Sequence, residues 1–164
     1  MKKTSTNKES GFTIIEVVLV LAIAGLIFLV VFLALPALQR SQRDTQRRSD
    51  LGRFMAQLET YASNNNGSYP TAANTAAFVT NYLTNDGASF SDPQNDAGTP
   101  GVYDVVTLTG AAAPTIDDNL DNIFYRINAQ CGASEGTFQA GSGTRSVAAM
   151  IAVENGIAFC QDNR

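Results

Sequence analysis

The chain has 164 residues, of which 45% are hydrophobic and 16% are charged, with 15 acidic side chains against 11 lysines and arginines. It contains no histidine and two cysteines, so the commonest general base is missing and a four-thiolate zinc site is excluded. Most familiar enzyme classes are therefore disfavoured. Acidic side chains predominate after residue 53, which argues against general nucleic-acid binding by that part of the chain. The length fits one domain with an appendage.

The first predicted element is a helix of membrane length. Residues 17–35 are nineteen positions without a charge or an amide side chain, and as a helix they would span roughly 28 Å. Three interpretations compete: a cleaved secretory signal, a permanent membrane anchor, and a segment that is later withdrawn from the membrane into an assembly. A cut after Ala24 would leave eleven further apolar residues, so ordinary secretory cleavage is disfavoured.

One carboxylate lies near the beginning of this apolar run. A charge at the centre of a membrane helix costs at least about 2.5–3.5 kcal/mol and less near an end, so Glu16 either reaches the membrane surface or has a partner. The residues before it, 8–15, read KESGFTII. A basic leader, then Gly11, Phe12 and a glutamate at the fifth position after the glycine resemble the type III signal of prepilins and pseudopilins.

The resemblance implies how the N-terminus is processed. A prepilin peptidase would cut between Gly11 and Phe12 on the cytoplasmic side of the membrane and remove residues 1–11 as a leader. The same enzyme would methylate the new amine of Phe12, and the apolar segment would stay attached. Phe12 and Glu16 would then act in assembly.

The resemblance also implies an α+β fold of the type IV pilin kind. A long N-terminal helix, residues 12–63, would be hydrophobic and partly transmembrane over residues 12–38 and amphipathic over residues 39–63. It would pack on a small globular head, residues 64–164, which presents an antiparallel β-sheet. The resemblance itself extends over residues 8–71.

Two helix breakers lie in the apolar segment. Glycine costs about 1 kcal/mol in a helix interior and proline about 3 kcal/mol, so local unwinding is expected between Gly25 and Pro36. The resemblance implies that this stretch melts when the fibre assembles, although Pro36 lies slightly later than the usual pilin proline. The alternative is a simple kink, which lipid-embedded helices tolerate.

The amphipathic part of the helix has two faces. Apolar residues recur every three or four positions and predict a stripe that packs on the head: Leu51, Phe54, Met55, Leu58, Tyr61 and Ala62. Charged residues occupy the other side: Arg40, Arg43, Asp44, Arg47, Arg48, Asp50 and Arg53. We interpret them as a solvated face in preference to a specific subunit contact. Residues 64–67, NNNG, predict the end of the helix.

The head is predicted to contain short elements. Phe78 to Leu83 indicate a short helix, and the Asn155-Gly156 pair predicts a hairpin turn. Strands are expected at residues 102–108, 123–128, 147–153 and 157–160, which together form a small antiparallel sheet of three or four strands. The stretch from Gly136 to Gly143 is expected to be a loop, and it lacks the lysine of a phosphate-binding loop.

Cys131 and Cys160 are predicted to form a disulfide, because an even cysteine pair in an exported head is typical of one. The pairing resembles the disulfide-bounded loop of many type IV pilins, which favours a pilus subunit over a secretion pseudopilin. Asp117, Asp118 and Asp121 form a weak Ca²⁺ candidate, but they fit an ordinary acidic loop better. We therefore expect no metal and no cofactor.

The resemblance implies a structural subunit and not an enzyme. Such a chain is drawn from an inner-membrane pool into an extracellular pilus on the cell surface, which serves adhesion, twitching motility or DNA uptake. Its expected partners are other copies of itself, bound through the N-terminal helix, the prepilin peptidase, the pilus assembly machinery and, before assembly, the membrane. A pseudopilin of a type II secretion system or a competence pilus is the first alternative. A signal-anchored enzyme or ligand-binding domain is the second.

Overall fold

The protein is described here by a computed structural model that divides into two compact units, one ending at Gln39 and the other running from Arg40 to Arg164. The structure describes residues 11–84, 90–94, 101–109, 120–143, 145–154 and 156–164.

Helix α1, Ile14–Asn64, is the longest element. Backbone bonds from Glu16 N and Val17 N to Thr13 O, at 3.1 and 3.4 Å, begin it. Within the first unit its side chains are almost all exposed. By length and composition α1 could cross a membrane, and it is the one helix in the described part of the chain that could.

The stripe predicted on the second half of α1 is confirmed. Leu51, Phe54, Met55, Leu58 and Ala62 are buried, and Tyr61 packs partly buried against the same core. This face of the helix supplies much of the apolar core of the second unit.

Helix α1 ends where the sequence predicts. Asn66 and Gly67 have φ values of 55° and 82°, in the left-handed region that terminates helices. Gly67 N donates to Ala62 O at 2.7 Å, which satisfies one carbonyl of the last turn.

The short helix predicted around Phe78 is present. Helix α2, Thr75–Phe78, continues into a π-helical segment, Val79–Thr84. Phe78 is buried, and its ring centroid lies 5.8 Å from that of Phe54.

The strands of the head form one main sheet and two small ribbons. They are β1 Ser91–Asp92, β2 Gly101–Val102, β3 Asp104–Thr107, β4 Asn122–Ile127, β5 Ala129–Cys131, β6 Phe138–Ala140, β7 Val147–Ala152 and β8 Ala158–Asp162. The main sheet has the order β3-β4-β7-β8, while β1 pairs with β2 and β5 with β6.

The predicted antiparallel sheet is present, and one further strand joins it in parallel. β4 pairs with β7 and β7 with β8 in antiparallel fashion, whereas β3 runs parallel to β4, with Val105 opposite Ile123. Periodicity assigns residues to faces and carries no information on strand direction, so the direction of β3 could not be predicted. The single strand expected at residues 102–108 is also divided at the buried Tyr103.

The predicted hairpin near the C-terminus is present, with Ala152 opposite Ala158. Val153 N donates to Ile157 O at 3.0 Å, and Gly156 has a φ of 71°. Asn155 lies outside the described residues. We call residues 153–157 the β7–β8 connection.

Strand β7 is buried along its whole length. Val147, Ala149 and Ile151 belong to the core shared with helix α1, and β5 lies against both β7 and β8. The stretch from Gly136 to Gly143, expected to be a loop, contains β6 instead. Because Phe138–Ala140 is short and largely exposed, it lacks the alternating pattern that predicts a strand.

Candidate functional site

The residues of the predicted processing site lie just before helix α1. Gly11 and Phe12 are exposed and precede the first helical residue, and the Phe12 side chain is 84% exposed. A protease can bind a peptide bond that is exposed and lies outside a helix. The geometry is therefore compatible with a cut between these two residues.

Glu16 lies in the first turn of α1 and is exposed. Its carboxylate accepts a long hydrogen bond from the Thr13 hydroxyl, 3.5 Å from Oγ1 to Oε2. Among the residues that the structure describes, no cation forms an ion pair with Glu16.

Gly25 and Pro36 both lie inside the continuous helix α1. No atom lies within 4 Å of the position that a Cβ on Gly25 would take. Close packing within the chain therefore does not require a glycine there. The role of these two residues in unwinding stays a prediction.

The head contains a buried ion pair that the sequence did not predict. Arg47 and Asp92 are both 0% exposed. Arg47 Nε donates to Asp92 Oδ1 at 2.7 Å and its Nη2 donates to Oδ2 at 3.0 Å, while Nη2 also donates to Gln94 O at 3.0 Å. Burial raises the pKa of Asp92, although the hydrogen bonds from Arg47 act in the opposite direction.

The prediction of a solvated charged face is therefore wrong for Arg47. Helical spacing could have shown this, since Arg47 lies four residues before Leu51 and falls on the apolar stripe. A guanidinium at a stripe position requires a carboxylate from elsewhere in the fold.

Glu154, in the β7–β8 connection, joins this ion pair to the rest of the charged helix face. Arg43 donates to both of its carboxylate oxygens, with Nη2 2.8 Å from Oε2. Arg47 Nη1 lies 3.4 Å from Oε1, and Arg40 Nε lies 3.8 Å from Oε2. The backbone N of Glu154 donates to Asp44 Oδ1 at 3.0 Å. The hydrogen bond from Arg43 lowers the pKa of Glu154.

The structure joins Cys131 of β5 to Cys160 of β8 by a disulfide with a Cα–Cα distance of 5.9 Å. Cys131 N also donates to Asp162 Oδ2 at 3.0 Å. The bond attaches the β5–β6 ribbon to the edge strand of the main sheet.

The candidate calcium residues are only partly described. Asp117 and Asp118 lie outside the described residues, whereas Asp121 directly precedes β4. Its Oδ1 is buried and has no hydrogen-bond partner within the described part of the chain. No group of three metal-ligating side chains occurs there either. The calcium site stays a prediction.

A polar cleft of about 540 Å³ lies at the exit of helix α1. Tyr69 and Asn163 both donate to Glu59 Oε1, at 2.7 and 2.9 Å, and Asn163 also donates to Arg145 O at 2.9 Å. Burial and the bond to Glu59 raise the pKa of Tyr69. These groups bond mainly to one another and fix the helix exit to the C-terminus.

Comparison with known proteins identifies the N-terminal segment. Residues 6–32 match the family described as the prokaryotic N-terminal methylation motif. No curated protein and no solved structure matches the chain. The matched residues include Gly11, Phe12, Glu16 and Gly25, and they extend through the exposed apolar part of α1.

The matched motif is the type IV prepilin signal, and it supports a pilin-like or pseudopilin-like protein. The long apolar helix and the α+β head are consistent with a type IV pilin-like fold. The motif points to a structural protein and fits a membrane-anchored precursor. It implies processing by a prepilin peptidase and assembly into a pilus-type filament.

Proposed function

We propose that this chain is a structural subunit of a type IV pilus, held in the inner membrane as a precursor and assembled into an extracellular filament. One observation carries the proposal: the methylation motif at residues 6–32 is in register with the exposed apolar part of helix α1. The leader, residues 1–11, would be removed, and the helix would become the shared core of the filament.

The apolar surface of the helix supports assembly. Large apolar side chains from Phe12 to Leu38 are between 48% and 85% exposed. Burying one such side chain contributes about 1.5–3 kcal/mol. A surface of this size is covered by lipid in the precursor, and other copies of the same helix can cover it in a filament.

Glu16 supports a defined register between the copies. After the cut, the amine of Phe12 carries a positive charge and Glu16 a negative one, four residues apart on the same helix. Each charge is costly in an apolar bundle unless it is paired. An axial stagger between neighbouring copies would place Glu16 of one beside Phe12 of the next, so the pair would set register more than it adds stability.

The motif supports a pseudopilin of a type II secretion system equally well. The observation that favours a pilus subunit is the Cys131–Cys160 disulfide in the head. Electron microscopy of cells at native expression separates the two functions. A pilus subunit gives surface filaments that contain this chain, whereas a pseudopilin gives none and its deletion abolishes protein secretion.

The assembly role of Glu16 is tested by Glu16→Ala as the sole copy in cells. We expect the variant to be inserted and cut, because removal of a charge makes membrane insertion easier. We also expect few or no filaments by electron microscopy. Glu135→Ala, which removes an exposed carboxylate from the head, should leave filament number unchanged. Abundant filaments of normal helical rise from Glu16→Ala would contradict the proposed register pair.

A further inference from the structure

The second compact unit begins with eleven helical residues that contain no apolar side chain. Residues 40–50 read RSQRDTQRRSD, and Arg47 is the one fully buried residue among them. Apolar packing of helix α1 begins at Leu51. This stretch is therefore held on the head by polar contacts, unlike the helix that follows it.

Those polar contacts converge on the β7–β8 connection. Glu154 accepts two hydrogen bonds from Arg43 and one from Arg47, and its backbone N donates to Asp44. The sequence separation between Arg43 and Glu154 is 111 residues. The Glu154 carboxylate thus links Arg40, Arg43 and Arg47, which are three or four residues apart and lie on one face of the helix.

Three further contacts hold residues 47–50 on the head. Asp92, in β1, binds Arg47 through both carboxylate oxygens. The Tyr103 hydroxyl donates to Asp50 Oδ2 at 3.0 Å. The Arg48 guanidinium lies over the Phe159 ring of β8, 5.1 Å from its centroid. None of these contacts involves Glu154.

We propose that Glu154 is a latch that holds residues 40–46 of helix α1 on the head and releases them without unfolding the apolar core. Exposed ion pairs contribute little to stability, and the attraction within a buried ion pair is offset by the cost of desolvating the two charges. The described contacts of residues 40–46 with the head converge on Glu154, so their net attachment is weaker than that of the helix from Arg47 onward. Segments with few apolar contacts open locally at lower free energy than the core.

The latch would set how much of helix α1 moves with the head. With the latch closed, the rigid unit begins at Arg40. With the latch open, it begins at Arg47, which Asp92 still holds. The proposal concerns the single chain and does not depend on the proposed filament.

Hydrogen exchange of the full-length chain in detergent micelles tests the latch. Glu154→Gln should raise the exchange rates of amides 43–46 roughly fivefold or more, because the charge-assisted bonds that hold this stretch on the head are lost. Amides 54–62, in the apolar part of the helix, should exchange at the wild-type rate. Glu135→Gln, which changes an exposed carboxylate in the head, should alter neither segment.

Arg43→Gln removes the same contact from the helix side and should give the same pattern. An equal rise in both segments would overturn the proposal, because residues 40–46 would then open only with the core. Unchanged rates at amides 43–46 in both variants would overturn it as well. Loss of folding in both variants would show that the latch is inseparable from the core, which also contradicts the proposal.

Discussion

At the scale of single residues, Arg47 and Asp92 show that this head buries charged side chains when they are paired and hydrogen-bonded. Both side chains are inaccessible to solvent, and each guanidinium–carboxylate bond is short. The Arg47 guanidinium also donates hydrogen bonds to Gln94 O and to Glu154. Such a pair adds little net stability compared with apolar residues, but the loss of one partner leaves a buried charge unpaired.

We expect Arg47→Met to lower the free energy of unfolding by about 3–5 kcal/mol, because Asp92 loses its partner. Urea unfolding of the full chain in micelles, followed by circular dichroism, measures the change. The double variant Arg47→Met with Asp92→Leu should be less destabilised than Arg47→Met alone, since no unpaired charge remains. Gln42→Met, at an exposed position of the same helix, serves as the control. A double variant less stable than Arg47→Met would contradict this interpretation of the pair.

The pH dependence of stability should show the contribution of Glu154. The hydrogen bond from Arg43 lowers the pKa of Glu154 below its ordinary value of 4.5. Its contribution to stability is therefore complete above pH 4.5 and is lost as the pH falls through the lowered pKa. The difference in unfolding free energy between wild type and Glu154→Gln should be largest above pH 4.5 and should shrink below it. A difference that stays constant on acidification would rule out an ionised Glu154 as the source.

At the scale of elements, the exit of helix α1 depends on a glycine. Gly67 has a φ of 82°, and a Cβ there would collide with the Arg145 guanidinium, which lies over the end of the helix. The left-handed conformation costs other residues about 1–2 kcal/mol. The backbone conformation therefore selects glycine at this position, whereas the flexible Arg145 side chain can move aside.

We expect Gly67→Ala to lower the free energy of unfolding by about 1–2 kcal/mol or more. Adding Arg145→Ala should recover only the part that comes from crowding, because the backbone strain persists. Gly143→Ala is the matched control, since its Cβ would meet no atom within 4 Å. Thermal unfolding followed by circular dichroism reports the order of the three variants. Equal stability of Gly67→Ala and Gly143→Ala would show that the helix exit does not require glycine.

The elements differ in how far the sequence could predict them. The stripe from Leu51 to Ala62 was predictable because helical periodicity is a local property of the chain. The parallel direction of β3 was not, because it depends on which strand β3 meets after a long connection. The burial of Arg47 lay between these cases. Helical spacing could predict its position on the apolar stripe, but no local pattern could predict its partner, Asp92.

At the scale of the whole molecule, the N-terminal motif and the ion cluster of the head differ in how far apart their residues lie in the sequence. Residues 6–32 form a motif whose parts are close neighbours in sequence, so a signal and an assembly segment could be predicted without a structure. The ion cluster of the head joins residues more than a hundred positions apart. Such contacts depend on the tertiary fold, so no local sequence pattern predicts them.

The central claim is that this chain is a prepilin-type subunit, and the mass of its mature N-terminal peptide tests that claim most directly. Protein purified from the cell surface or from membranes should begin at Phe12 and carry one methyl group on its amine. Replacing Gly11 by a bulky residue should prevent the cut, so that the leader stays attached and Phe12 has no free amine. A native subunit that still begins at Met1, or one that begins after Ala24, would contradict the account.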